Sequence, residues 1–227
     1  YLLDDTQLSS DNRVLVYSQS SPYGSTYTKA GAAGLTGMDI YGGTLIIKDS
    51  VNTTTNSELN AARGGANPSY TTYGGSGSTL DANGNLLIWT GCTFAPGGNI
   101  TVVGNWTNNG TFTAGSYTVI FDGTASGKTI TSGTGSPFYN LTIAGTNGAW
   151  TLQDALTVNN ALTISAGTLT QGANTISAGS FTQTGSTFTQ GVATIAITAA
   201  FTISGGAFNQ ANTISAGSLT QSGGTFT

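Results

Sequence analysis

From residue 80 onward, apolar residues alternate with small polar ones in short bursts such as Thr168-Leu169-Thr170 and Thr187-Phe188-Thr189. A period of two is that of a strand with one buried side. The bursts themselves recur. Cutting the chain before each Leu/Ile/Val/Phe-led segment places starts at 80, 100, 119, 141, 162, 181, 201 and 219, a spacing of about 20 residues. A near-constant period of this length marks a solenoid. The chain lacks a leucine-rich consensus and any apolar 3.6-residue period, which excludes leucine-rich and helical repeats. The pattern predicts an all-β chain: a parallel β-solenoid (β-helix) of about seven and a half coils over 80–227, preceded by an irregular β cap region over 1–79.

Aligning the last coils gives three apolar columns. Leu162, Phe181, Phe201 and Leu219 form the first, Leu169, Phe188, Phe208 and Phe226 the second, and Ile176, Ile195 and Ile214 the third. Columns about seven residues apart predict a three-sided coil whose inward side chains stack on their neighbours above and below. Gly167, Gly185, Gly205 and Gly223 fall between columns, where the coil must turn and a residue without Cβ accepts positive φ. Gln171, Gln190 and Gln210 also align, and the expectation is a ladder of side chains hydrogen-bonded along the stack.

Charge usage fits this geometry. The stretch 155–227 holds no Asp, Glu, Lys or Arg. In stacked coils a charge repeated in register faces its own copy and destabilises the stack. Disorder is the other reading of so few charges, but disordered segments are poor in the β-branched and aromatic residues that are frequent here. The region 1–79 differs: it carries Asp4, Asp5, Asp11, Arg13, Lys29, Asp39, Lys48, Asp49, Glu58 and Arg63, and seven of the nine tyrosines. Strand-like runs stand at 13–17 and 44–48. A solenoid needs its terminal coil covered, so this region is expected to be a cap; exposed tyrosines would alternatively make it a binding face.

Thr227 falls nine residues into a coil, with no proline, charge cluster or helix to cover the strand edge. Uncovered edges template pairing. Leu219, Thr220, Gln221, Thr225, Phe226 and Thr227 are therefore the candidate assembly edge, with copies of this chain or further solenoid coils as the expected partner.

Catalytic constellations are missing from the sequence. There is no His, which removes the commonest general base and metal ligand. Within 80–227 the only acids are Asp81, Asp122 and Asp154, about two coils apart in sequence, too dispersed for the paired carboxylates of glycoside hydrolysis. The run Gly123-Thr-Ala-Ser-Gly-Lys128-Thr129 has the wrong spacing for a phosphate loop, since Asp122 stands where its first glycine belongs. Gly74-Gly75-Ser76-Gly77 begins like a calcium-binding nonapeptide but does not recur. Asp4, Asp5 and Asp11 read as a solvated face rather than a Ca²⁺ site. Cys92, the single cysteine, reads as a small core residue. The expectation is no enzyme, no cofactor and no bound metal. A net charge of −4 with five basic residues gives no nucleic-acid footprint, and no apolar run is long enough to span a membrane. Asn52, Asn99, Asn105, Asn109 and Asn140 begin glycosylation sequons, about the number that this composition gives by chance.

The phrases over 104–124, 136–145 and 156–169 resemble the repeats of large secreted bacterial or archaeal surface proteins of the adhesin-like, filamentous-haemagglutinin-like β-helix type. The resemblance spans roughly 80–227 and implies an extracellular or cell-surface location and a role in attachment, matrix or filament building, with surface carbohydrate or a host cell surface as a further partner. The function expected is a non-enzymatic structural rod, either a filament subunit built by head-to-tail stacking or an adhesin stalk. The alternatives are an ice-binding or carbohydrate-binding solenoid and a polysaccharide-active β-helix enzyme. The ice reading comes from Thr168/Thr170, Thr187/Thr189 and Thr225/Thr227, which resemble the T-x-T arrays of antifreeze proteins but break at Ala207 and Asn209.

Overall fold

Parallel pairing of strands about twenty residues apart dominates the computed structural model, which describes residues 12–18, 21–29, 38–63 and 72–227. The chain is a parallel β-solenoid of about nine turns with coils of roughly 20 residues. One sheet of eleven strands runs the length of the stack, from Arg13–Tyr17 to Thr225–Phe226. A nine-stranded sheet faces it, and a three-stranded sheet (Thr53–Thr54, Thr93–Phe94, Thr111–Phe112) forms the third side of the early coils. In later coils the third side is made by bending. Strands Leu156–Ile164, Ile176–Gln183, Ile195–Ile203 and Ile214–Gln221 each cross a corner, with register shifts between Val158 and Ala161, Ala178 and Phe181, and Ile197 and Ala200. These bulges take up unequal numbers of residues, which is why the repeat length varies while the columns stay in register.

All three apolar columns are present. Leu162, Phe181, Phe201 and Leu219 pair in succession, and the column continues upward through Leu141, Val119 and Ile100 to Leu80. Leu169, Phe188, Phe208 and Phe226 form the second, with Trp150 above Leu169. Leu156 stands above Ile176, Ile195 and Ile214 in the third. Residues of the inner coils are buried, Phe181, Phe188, Phe201 and Phe208 completely. Their rings stack along the axis, Phe181 on Phe201 at 4.6 Å and 9°, Phe188 on Phe208 at 4.8 Å and 15°. Alternation of buried and half-exposed residues along each strand, as in Thr187–Thr189, is the signature read in the sequence.

Two expectations about the corners need correction. Positive φ falls at Gly167, Ser186, Gly206 and Gly224, not at Gly185, Gly205 and Gly223. The sequence alignment placed Gly167 one residue out of its structural column. Gly185, Gly205 and Gly223 serve close approach instead: a Cβ on Gly185 would lie 2.8 Å from the Ser165 carbonyl oxygen of the coil above. Ser186 is the non-glycine member of the left-handed column, at φ 72°, a conformation that costs an L-residue about 1–2 kcal/mol.

Solenoid stacking also extends above residue 80. Thr44–Ile47 pairs in parallel with Asn85–Ile88, and Thr53–Thr54 with Thr93–Phe94. Before that, the chain closes the stack. Arg13–Tyr17 and Tyr73–Gly74 end the two long sheets with antiparallel pairings. Helix Asn56–Arg63 brings Leu59 into the core. The helix was not foreseen, although Thr55-x-x-Glu58 is a capping box: the Glu58 amide donates to Thr55 Oγ1 at 3.2 Å, and the Thr55 amide donates to Glu58 Oε2 at 3.0 Å.

Candidate assembly edge

The coil at the far end from the helix is built like those above it but is covered on one side only. Strands Ile214–Gln221 and Thr225–Phe226 are the outermost members of the two long sheets. Leu219 keeps its register with Phe201 yet is 61% exposed, while Phe226 is half-buried, stacked on Phe208 at 5.1 Å and 7°. Thr220, Gln221, Thr225 and Thr227 are exposed beside them. Backbone bonds tie the coil upward: the Thr225 amide donates to Gly206 at 2.8 Å, Thr227 to Phe208 at 3.0 Å and Ser222 to Ile203 at 2.9 Å. All six residues of the predicted edge thus lie together at one end of the rod.

Glutamines at the corners set how one coil grips the next, and here the expected side-chain ladder is replaced by something else. Gln171, Gln183 and Gln190 are buried. Each donates from Nε2 to a carbonyl three residues on in its own corner, Asn174 (2.7 Å), Ser186 (3.2 Å) and Ala193 (3.3 Å). Each also donates to the following coil: Gln171 to Ala193 and Thr194 (both 3.2 Å), Gln183 to Ala207 (2.9 Å), Gln190 to Thr213 (3.4 Å). Gln190 Oε1 accepts from the Ala211 and Asn212 amides, both 3.2 Å. The side chains therefore staple backbone to backbone across the coil interface. Alignment of Gln171, Gln190 and Gln210 was legible in the sequence; the second glutamine column, in which Gln183 lies between Ile164 and Ile203 and Gln221 follows, was not singled out.

In the last coil, Gln221 donates to Gly224 (3.2 Å) and Gln210 to Asn212 (2.9 Å), both within their own corners.

Outward faces carry threonine columns. Thr142, Thr163, Thr182, Thr202 and Thr220 lie in unbroken register. On the neighbouring face Thr129, Thr151, Thr170 and Thr189 are followed by Asn209, and Ala149 stands above Thr168 and Thr187, so the threonine ladder reaches two coils further up than the sequence alignment placed it.

The remaining candidate residues are tied into the scaffold. Asp154 accepts from the Ser132 and Gly133 amides (2.7 and 2.8 Å), joining two coils beside a shallow cavity of about 280 Å³. Burial raises the Asp122 carboxyl above its usual range, and the charge of Asp81 adds to the shift. Lys128 begins a strand, not a helix, and its Nζ lies 4.7 Å from the Trp150 ring centroid. Burial pushes the Cys92 thiol up to about 11, the wrong direction for a nucleophile. In the cap, Lys29 pairs with Glu58 at 2.5 Å and approaches Asp49 at 3.9 Å, while Tyr27 and Tyr73 are fully buried. Much of the charge and aromatic content expected on a binding face is thus internal; Tyr23 and Tyr41 are exposed. Asp4, Asp5 and Asp11 lie outside the described residues. Among the described residues no group of three or more His, Cys, Asp or Glu could hold a metal ion, and no helix is long and apolar enough to cross a membrane.

The geometry defines a rod-like β-solenoid repeat protein. Comparison with protein families, curated proteins and solved structures returns no match.

Proposed function

We propose that this chain is a non-enzymatic structural rod of the cell exterior, acting as a filament subunit or an adhesin stalk. The observation that carries the reading is the pairing of an uninterrupted apolar pillar with an uncharged wall over 155–227, which makes coil-on-coil addition favourable and leaves nothing repulsive at the open edge. About nine turns at about 4.8 Å each make a stiff rod of roughly 40 Å. Its extension uses the edge Leu219, Thr220, Gln221, Thr225, Phe226 and Thr227. The lack of histidine, the commonest general base, supports a mechanical role over polysaccharide chemistry.

Negative-stain imaging of the native assembly tests this. A filament shows an axial repeat near one subunit length, and a stalk shows separate rods with tips; compact particles without rods contradict both.

A second reading rests on the threonine column Thr142, Thr163, Thr182, Thr202 and Thr220, whose regularity suits binding to ice. A thermal hysteresis assay decides it, and freezing behaviour equal to that of an inert protein removes it.

A further inference from the structure

We propose that Asn83 is a site of spontaneous chemical modification, where the chain converts asparagine to aspartate and isoaspartate through a succinimide. The inference is independent of the rod reading. Three Asn-Gly pairs occur in the sequence: Asn83-Gly84, Asn109-Gly110 and Asn147-Gly148. Asn-Gly is the pair most open to this reaction, because glycine has no side chain to shield its amide nitrogen from the asparagine Cγ. The reaction needs that nitrogen free and the asparagine side chain mobile, and the fold treats the three pairs differently.

At two of them the glycine amide is committed. Gly110 donates to Asn108 Oδ1 at 3.1 Å. Gly148 donates to the Gly145 carbonyl at 2.8 Å, inside a tight turn that also holds Asn147 in the left-handed region at φ 64°. Asn83 stands at the bend between Leu80–Ala82 and Asn85–Ile88. It is exposed, and among the described residues neither its side-chain amide nor the Gly84 N–H has a hydrogen-bond partner. The Gly84 nitrogen attacks Asn83 Cγ, forming a C–N bond that closes the ring. The Cγ–Nδ2 bond breaks, and Nδ2 leaves as ammonia with the proton shed by the glycine amide. Water, the only co-reactant, then opens the ring at either carbonyl. One opening gives aspartate and the other isoaspartate, whose main chain is longer by a methylene. That added length falls where the coils approach closely. The Gly84 carbonyl accepts from the Gly104 amide at 2.8 Å, the Asn85 amide donates to the Gly43 carbonyl at 2.7 Å, and a Cβ on Gly84 would collide with that same Gly43 oxygen. The isoaspartyl product therefore loosens the pairing of 44–47 with 85–88.

Peptide mapping by mass spectrometry tests this, after incubation of the full chain at mildly alkaline pH, both folded and in urea. In the folded chain the product at Asn83 should accumulate several-fold faster than at Asn109 or Asn147. In urea, where only the local sequence acts, the three rates should converge. Conversion of Asn109 or Asn147 as fast as Asn83 in the folded chain, a preference for Asn83 that persists unchanged in urea, or an Asn83 inert in the folded chain overturns the proposal. Hydrogen exchange of the chromatographically separated isoaspartyl form should rise over 44–47 and 85–88. Asn83→Asp adds the charge without the extra main-chain carbon and should match the parent there. Equal exchange in the parent and the isoaspartyl form would overturn the loosening.

Discussion

Replacing Phe208 by Ala should be the most damaging single truncation in the last three coils. Its ring is fully buried and meets four others: Phe188 at 4.8 Å and Phe226 at 5.1 Å along the axis, Phe201 at 5.1 Å and Phe181 at 5.8 Å edge-on. Loss of the transfer term and the cavity left behind costs about 3–5 kcal/mol for a buried Phe. Axial ring contacts hold two coil interfaces at once, and solenoid stability is close to a sum of such interfaces. Phe226→Ala is the internal control: that ring is half-buried and touches the stack on one side only, so its loss encloses no cavity and should cost about 1–1.5 kcal/mol. Urea unfolding followed by far-UV circular dichroism gives the midpoints, compared at constant slope. Hydrogen exchange adds locality, because Phe208→Ala should raise exchange throughout 214–227 while leaving 80–160 protected. Equal shifts for the two variants, or a loss below about 1 kcal/mol for Phe208→Ala, would refute the stacked-pillar reasoning.

Ser186→Gly should raise stability by about 0.5–1 kcal/mol, since relief of the left-handed strain exceeds the entropy cost of glycine; a lower melting temperature would show that the serine is held there by something else. Gln190→Leu removes the partner of the Ala193 and Thr213 carbonyls and the Ala211 and Asn212 amides and should cost about 2 kcal/mol or more by denaturant titration, because each stranded buried group bears its own penalty. The Cys92 thiol should resist alkylation in the folded chain and react on unfolding. Burial holds its protonated form, so its pKa is about 11 folded against 9.0 in the reference state. Between those values the folded chain binds more protons than the unfolded one, and stability should fall as pH rises through that window. A Cys92→Ala variant with an unchanged pH slope there would contradict the assignment.

The sequence revealed the solenoid because stacking forces chemistry to repeat: Phe181, Phe201 and Leu219 had to match in character since they touch. It was less informative where a position satisfies two constraints at once. Gln183 stands between Ile164 and Ile203 because its methylene stem packs inward while its amide serves the corner, and composition alone does not separate those roles. Corner glycines looked alike in sequence, yet neighbouring positions do different work, one taking the left-handed conformation and the other admitting the carbonyl of the coil above. The helix Asn56–Arg63 carries little apolar character beyond Leu59, and its signal lay in the Thr55–Glu58 cap rather than in periodicity. The strand at 44–48 was visible in the sequence, but its place in the stack was not, because Thr44–Ile47 and Asn85–Ile88 are 41 residues apart, separated by the helix and its loops, so their register breaks the twenty-residue spacing. As for the candidate edge, its strands follow the repeat that the sequence shows, but the glutamine staples between coils depend on distances between corners.

Disulfide trapping across coils tests the central claim most directly. Thr163 and Thr182 are in-register neighbours on adjacent coils, at about the 4.8 Å strand spacing, which lies within the Cα separation of roughly 4.4–6.8 Å that a disulfide requires. Mild oxidation of the Thr163→Cys/Thr182→Cys variant should yield a rapid intramolecular cross-link, whereas Thr163→Cys/Thr189→Cys, on different faces, should stay reduced. A cross-link in the second pair and none in the first would mean that positions one repeat apart do not stack, and the rod would fall with them.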